Sequence, residues 1–211
     1  MSQIIIKNLT KKIRNNIVLD NINLNLQSGN IYGFLGRNGS GKTMLFRAIC
    51  GLIKPTYGKI LINNMTLGKD ITFPPSCGVI IETPGFWDNY SAFENLKTLA
   101  SIKNIIGDNE IETVLKDVTL DPTDNKPFKK FSLGMKQKLA LAQALMEKPD
   151  IIILDEPTNA LDEESIEIVR NLIKLEKKRG ALILIASHNK DDIDNLCDIK
   201  FKLDSGKIIN I

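Results

Sequence analysis

Residues 36–43 read Gly36-Arg37-Asn38-Gly39-Ser40-Gly41-Lys42-Thr43, which fits the pattern G-x-x-x-x-G-K-[ST]. Each residue type in it answers a need of phosphate chemistry. Glycines let consecutive backbone N–H groups point inward around anionic oxygens with no Cβ in the way. A helix starting near Lys42 adds its positive N-terminal end. Lys42 supplies a cation for β- and γ-phosphates, and the Thr43 hydroxyl is suited to ligate Mg²⁺. The flanks agree: apolar residues 31–35 read as a strand before the loop, and 42–50 carry a helical pattern that ends at Gly51. The stretch marks a site for a nucleoside triphosphate and, taken alone, says no more.

Such a loop needs an acidic complement. Ile151-Ile152-Ile153-Leu154-Asp155-Glu156-Pro157 is an apolar run that ends in two carboxylates. An uninterrupted apolar strand is one covered on both faces. Its carboxyl end is where open α/β sheets bind ligands. Asp155 fits the carboxylate that holds Mg²⁺, which leaves Glu156 to polarise an attacking water.

Outward from these two stretches, the chain reads as an α/β core split by helices. Residues 4–6 and 19–26 are strands, the latter alternating Leu19, Ile22, Leu24 and Leu26 with polar residues, as half-buried antiparallel strands do. Residues 59–63 and 77–81 are short strands. Helical patterns cover 92–102, 110–118 and 132–146, with 121–130 as an exposed connector containing Pro122 and Pro127. Strand character returns at 151–154 and 181–186 around an amphipathic helix at 164–178. A hairpin over 200–211, turning at Asp204-Ser205-Gly206, closes the chain. The expected division is an α/β core at 1–81 and 149–211 and a helical insertion at 82–148.

Composition narrows the class. At 211 residues the chain is one large domain, or a core with a subdomain. Apolar residues make up 43% and charged residues 25%, which excludes disorder, collagen and coiled coil. No run approaches the ~18 apolar residues of a membrane span, so a membrane role must come through partner chains. The net charge of +3 is too small to argue for nucleic acid. The 3 cysteines have no CxxC spacing, which fits neither a disulfide framework nor a zinc site and suits a reducing cytosol. The N-terminal Ile4-Ile5-Ile6 is too short for a secretory core.

A further stretch, Phe131-Ser132-Leu133-Gly134-Met135-Lys136-Gln137-Lys138-Leu139-Ala140, resembles the LSGGQ signature of the ABC ATPase family and the Ala- and Leu-rich helix that follows it. Leu133 stands for the first signature glycine and Met135 for the glutamine; Ser132 and Gly134 remain. A serine here is also an ordinary helix N-cap. The variant resembles those of bacterial drug- and peptide-resistance exporters. Three further positions match the family in order: Asp162 in Thr158-Asn159-Ala160-Leu161-Asp162, His188 after the strand at 181–186, and Gly58 in the turn after the loop helix.

The resemblance implies a P-loop NTPase core of the ABC ATPase type, with an N-terminal antiparallel β-subdomain and an inserted α-helical subdomain. It implies ATP and Mg²⁺ as cofactors and hydrolysis to ADP and phosphate. Glu156 and His188 would be catalytic, and Gly36, Asn38, Gly39, Ser40, Gly41, Lys42 and Thr43 would bind the nucleotide. Thr43, Asp155 and Glu82 would be the metal residues. Ser132 and Gly134 would contact the nucleotide held by a second subunit, so that two copies sandwich two ATP molecules.

Two departures stand out. Where the family has a glutamine at the entry to the helical insertion, Ile80-Ile81-Glu82-Thr83-Pro84 has Glu82, which resembles the E-loop of lantibiotic-immunity and bacitracin-type exporters. Ile13 occupies the place of the aromatic residue that stacks on adenine in many members, which predicts loose base selectivity.

The function implied is an ATPase subunit powering separate transmembrane subunits, most naturally an exporter of antimicrobial peptide, lantibiotic or drug, peripheral on the cytoplasmic face of the membrane. Phe86, Trp87, Tyr90 and Phe93 concentrate aromatic character where the family receives its membrane partner, although packing of the helical subdomain accounts for at least two such rings. A soluble ABC ATPase of cofactor assembly and an importer ATPase are the alternatives. A regulatory module without turnover is disfavoured by Glu156 and His188.

Overall fold

The apolar runs 151–154 and 181–186 become neighbouring strands in the middle of a sheet, and their burial shows why no polar residue interrupts them. In the computed structural model, which describes residues 2–82 and 85–210, strand Ile151–Asp155 and strand Leu182–Ser187 are buried at every position. Ile151, Ile153, Leu182, Leu184 and Ala186 face one core, and Ile152, Leu154, Ile183 and Ile185 face the other. Side chains alternate across a strand, so a sheet covered on both sides needs apolar residues at both parities.

The elements run in order: β1 (Gln3–Ile13), β2 (Asn16–Gln27), β3 (Ile31–Leu35), α1 (Lys42–Ile49), β4 (Tyr57–Ile62), β5 (Met65–Thr66), β6 (Cys77–Ile80), α2 (Ala92–Lys103), α3 (Asp108–Asp117), α4 (Leu133–Leu145), β7 (Ile151–Asp155), α5 (Glu163–Arg179), β8 (Leu182–Ser187), α6 (Lys190–Leu196), β9 (Ile199–Asp204) and β10 (Lys207–Asn210). Two sheets result. A 4-stranded antiparallel sheet has the order β2-β1-β4-β5, and a 6-stranded sheet has the order β10-β9-β3-β8-β7-β6. In the larger sheet β9, β3, β8, β7 and β6 are parallel and β10 is antiparallel to β9. The antiparallel sheet, α1 and one face of the larger sheet enclose one core, in which Phe34 and Phe46 meet edge to face at 5.5 Å. Helices α2–α5 enclose the other core. The helical segment leaves the sheet after β6 and returns at β7, and these two strands pair.

β3 is a strand as expected, buried over Ile31–Phe34 and parallel to both β8 and β9. Other sequence expectations change. β1 runs on past Ile6 through Lys7 and Asn8, with Asn8 at φ +49° and shifts of register that keep the strand paired beyond its polar interruption. β5 forms a hairpin with β4 around Asn63 (φ +50°) and Asn64 (φ +67°), a left-handed pair that asparagine tolerates. The connector at 121–130 ends in a single 3₁₀ turn, Phe128–Lys130, whose Phe128 is buried. The helix α6 has no apolar periodicity to announce it; its sign is Asn189, whose Oδ1 caps Asp191 N–H at 2.9 Å. Thr83 and Pro84, at the entry to the helical insertion, lie outside the described residues.

Candidate active site

The loop between β3 and α1 is shaped by glycines for two different reasons. Gly39 (φ +79°) and Gly41 (φ +109°) adopt left-handed backbone. Gly36 is instead squeezed: a Cβ there would lie 2.5 Å from the Leu203 carbonyl oxygen and 2.5 Å from Ser40 Oγ. Gly41 is the N-cap of α1, with no side-chain cap and no acidic residue in the first turn. The helix therefore presents its N-terminal N–H groups and positive dipole end with no local anion to satisfy them.

Lys42, 5% exposed, donates from Nζ to the Gly36 carbonyl at 2.6 Å and stands 3.8 Å from Glu156 Oε1. Ser40 Oγ is buried and has no hydrogen-bond partner among the described residues. Val18, residues 37–44, Asp155 and Glu156 line the cleft over this loop. Unsatisfied donors around a buried cation are what a chain of phosphates would engage.

Asp155 closes β7 beside this loop, and Thr43 Oγ1 donates to its Oδ2 at 2.5 Å. Burial raises the Asp155 carboxyl above its ordinary range; the Thr43 hydrogen bond and Lys42 oppose the rise, and Glu156 and Glu82 add to it. A hydroxyl and a desolvated carboxylate side by side fit Mg²⁺, which takes one or two protein oxygens and completes its shell with phosphates and water. Glu82 lines a neighbouring cleft with Asp155 and Glu156. Its carboxylate is 56% exposed and paired with Arg47 of α1, Oε2 to Nη2 at 2.7 Å.

Glu156 has φ +52°, an uncommon conformation for a residue with a side chain. Several hydrogen bonds hold it there. Its N–H donates to the Ala186 carbonyl at 2.8 Å, and Gln137 Nε2 donates to the carbonyls of Glu156 at 3.1 Å and Pro157 at 3.0 Å. Its carboxylate accepts from Ser187 Oγ at 3.2 Å and from His188 N–H at 3.0 Å, and His188 Nδ1 lies 2.9 Å from Oε2. The carboxylates of Asp155 and Glu156 and the ring of His188 thus gather at the ends of β7 and β8, in front of Lys42.

Residues 19–159, spanning the phosphate loop, the serine corner and the acidic strand end, match the family model described as ABC transporter. The chain belongs to the ABC transporter family. It is an ATP-binding subunit and an ATPase. YybJ, an uncharacterized ABC transporter ATP-binding protein of Bacillus subtilis (strain 168), is 52% identical over 95% of this chain and 92% of that protein. The bacitracin transport ATP-binding protein BcrA of Bacillus licheniformis is 44% identical over 95% of this chain, which spans 66% of BcrA. The lantibiotic transport ATP-binding protein SrtF of Streptococcus pyogenes is 36% identical over 97% of this chain and 88% of SrtF. The dimeric structure of the ATP-binding cassette MJ0796 in a post-hydrolysis state bound to ADP and Pi superposes with a TM-score of 0.87 at 27% identity, covering 97% of this chain and 96% of that one.

In this ABC ATPase the serine corner stands apart from the phosphate loop of its own chain. Ser132 is the N-cap of α4, accepting from Met135 N–H at 3.2 Å. A Cβ on Gly134 would lie 3.3 Å from the Ala160 carbonyl, which places the corner against the loop after Glu156. Neither Ser132 nor Gly134 lines the cleft over residues 37–44. Leu133 between them is 64% exposed. Asp162 caps α5, accepting from Ser165 N–H at 2.8 Å. Of the four aromatic residues at the entry to the helical segment, Phe86 and Phe93 pack into the core, whereas Trp87 and Tyr90 stack on each other at 6.0 Å on the surface.

Sequence reading missed two contributors. Gln137 was legible only as one more polar residue on a helix, and Arg47 only as a basic residue in the last turn of α1. Both act on backbone or carboxylate groups remote in sequence, which no local pattern reveals.

Proposed function

We propose that this subunit powers the export of antimicrobial peptides by ATP hydrolysis, working in pairs with separate membrane-spanning subunits. The observation that carries the hydrolytic part is the Glu156 carboxylate, held by Ser187, His188 N–H and the His188 ring, 3.8 Å from the Lys42 cation. Residues 36–43 cradle the phosphates and Lys42 neutralises them. Glu156 takes or orients the proton of the attacking water, and His188 holds the carboxylate and steadies the terminal phosphate. Thr43 and Asp155 would hold Mg²⁺, whose charge offsets that of the phosphates when it is bound; Glu82 joins them only if Arg47 lets it go.

The pairing of subunits is supported by the position of Ser132 and Gly134 at an exposed helix start outside their own phosphate cleft. A helix N-terminus capped by serine is an anion site, and a second copy supplies the nucleotide. The segment 82–148 is read as the helical subdomain that carries this corner, beside the core at 1–81 and 149–211.

Two observations support a membrane partner and a peptide substrate over a soluble assembly ATPase. Among the described residues no helix is long and apolar enough to cross a membrane; in this reading the transport path belongs to other chains, with this one peripheral on the inner face of the membrane. Trp87 and Tyr90, 45% and 42% exposed, form a stacked aromatic surface suited to receiving such a chain. The bacitracin and lantibiotic transport ATPases among its relatives, with Glu82 in the E-loop position, support the peptide class.

The test is Glu156→Gln. ATP binding is retained, turnover falls by about 10²–10⁴-fold, and scattering with Mg·ATP reports a dimer. Cells carrying the variant lose protection against bacitracin or a lantibiotic. Turnover near the wild-type rate sinks the assignment of Glu156, and unaltered protection sinks the substrate class.

A further inference from the structure

Asp192 on α6 is a carboxylate with 3% exposure, and an ionised carboxylate that deep is costly unless its oxygens are engaged. Its two oxygens are engaged by two different elements. Oδ2 accepts from Thr158 Oγ1 at 2.6 Å, and Oδ1 accepts from Arg170 Nη2 at 2.9 Å. Thr158 is buried too, in the loop that follows Glu156. Arg170 stands on α5, anchored further by Nη1 to Glu167 Oε1 at 2.6 Å. Asp192 itself follows His188 at the start of α6.

One side chain therefore fastens the loop carrying Glu156 to the segment carrying His188. That matters because both ends of the Glu156–His188 contact need holding. Glu156 sits at φ +52° and would relax without restraint. Among the described residues, His188 is 58% exposed and hydrogen-bonds to Glu156 alone. Gln137 and the Ala186 carbonyl restrain the Glu156 backbone from other directions, but neither reaches α6. Strands β7 and β8 set the two loops side by side; the Thr158–Asp192 bond fixes one against the other beyond the end of the sheet.

We infer that Asp192, acting through Thr158, is a positioning residue for ATP hydrolysis, setting the relation between Glu156 and His188. The inference rests on the reading of those two residues as the hydrolytic pair. It assigns no contact between Asp192 and nucleotide, so it separates turnover from binding.

The experiment is steady-state ATPase kinetics of the full chain, well below its melting temperature, on Thr158→Val, Thr158→Ser, Asp192→Asn and the Thr158→Val/Asp192→Asn double variant, with Glu156→Gln alongside. Thr158→Val removes one hydrogen bond and leaves the Arg170–Asp192 pair intact, so it carries the test if Asp192→Asn fails to fold. The expected result is a kcat lower by about 10–100-fold in Thr158→Val and Asp192→Asn, with KM for ATP within about twofold. Thr158→Ser, which keeps the hydroxyl, recovers most of the lost rate. The double variant is no slower than the worse single one, because Thr158→Val already removes the bond that Asp192→Asn perturbs. A wild-type kcat in Thr158→Val, or a raised KM with kcat unchanged, overturns the inference. An inactive Glu156→Gln beside a fully active Thr158→Val overturns this inference alone, whereas an active Glu156→Gln overturns the reading of Glu156 on which it rests.

Discussion

Thr43 and Asp155, 112 positions apart in the chain, share a hydrogen bond of 2.5 Å from Oγ1 to Oδ2. The bond joins the first turn of α1 to the end of β7 and puts a hydroxyl and a carboxylate at the edge of the phosphate cleft. Burial makes the ionised form of that carboxylate costly, a cost that Mg²⁺ would offset under the proposed assignment of Asp155.

Asp155→Asn is expected to leave the melting temperature of the nucleotide-free protein unchanged or higher, while Mg²⁺-dependent turnover falls by about 10²-fold or more. The pH dependence follows the same logic. The folded carboxyl is raised above its ordinary value of 3.8, so its contribution to stability is fully present below that value and is lost as pH rises through the folded value. Protons and Mg²⁺ compete for it. The thermal shift on adding Mg·ATP therefore falls in the wild type as pH is lowered through the folded value toward 3.8. In Asp155→Asn that fall shrinks, which differential scanning fluorimetry reads directly; a shift independent of pH in both proteins contradicts the assignment.

The Arg47–Glu82 pair is partly exposed on both sides, 34% and 56%, and such pairs contribute about 0–1 kcal/mol. Glu82→Ala should therefore move the melting temperature by no more than about 3 °C. Its effect is expected in coupling: protection of cells against peptide antibiotic is lost and ATPase activity falls. Unchanged values for both measurements would make Glu82 an ordinary surface glutamate.

Gly78 in β6 lies under the last turn of α4, where a Cβ would come within 1.8 Å of the Ala144 carbonyl oxygen. Backbone on one side leaves nothing to give way, so Gly78→Ala has to part the helical segment from the sheet. The expected loss is about 1–3 kcal/mol or more, seen in chemical denaturation. A stability equal to wild type would place α4 farther from β6 than the structure has it.

Base selectivity should be loose. Ile13 is 44% exposed and offers no ring, and the large apolar side chains lining the phosphate cleft are those of Val18 and Met44. An aromatic stack adds about 0.5–1.5 kcal/mol beyond simple burial, so its absence predicts ATP and GTP turnover within about tenfold of each other. Comparing kcat/KM for the two nucleotides checks this, and a sharp preference for adenine counts against it.

Local chemistry was written in the sequence. Residues 36–43 announce a phosphate loop because glycine conformation, a helix start and the Lys-Thr pair act within a few neighbouring residues. The apolar run at 151–154 announces a doubly covered strand because burial on both faces tolerates no polar side chain. Alternation at 19–26 and the serine before α4 are legible for the same reason. What the tertiary structure decided is which of these pieces meet. The parallel register Asp155↔Ala186 brings Glu156 to His188, and the crossing of α1 under β7 brings Thr43 to Asp155. Arg47 diverts Glu82, Asp192 draws together Thr158 and Arg170, and Ser132 ends outside the cleft of its own chain. Those outcomes depend on how sheets register and on where a buried charge finds its partner, and both are settled between residues far apart in the chain.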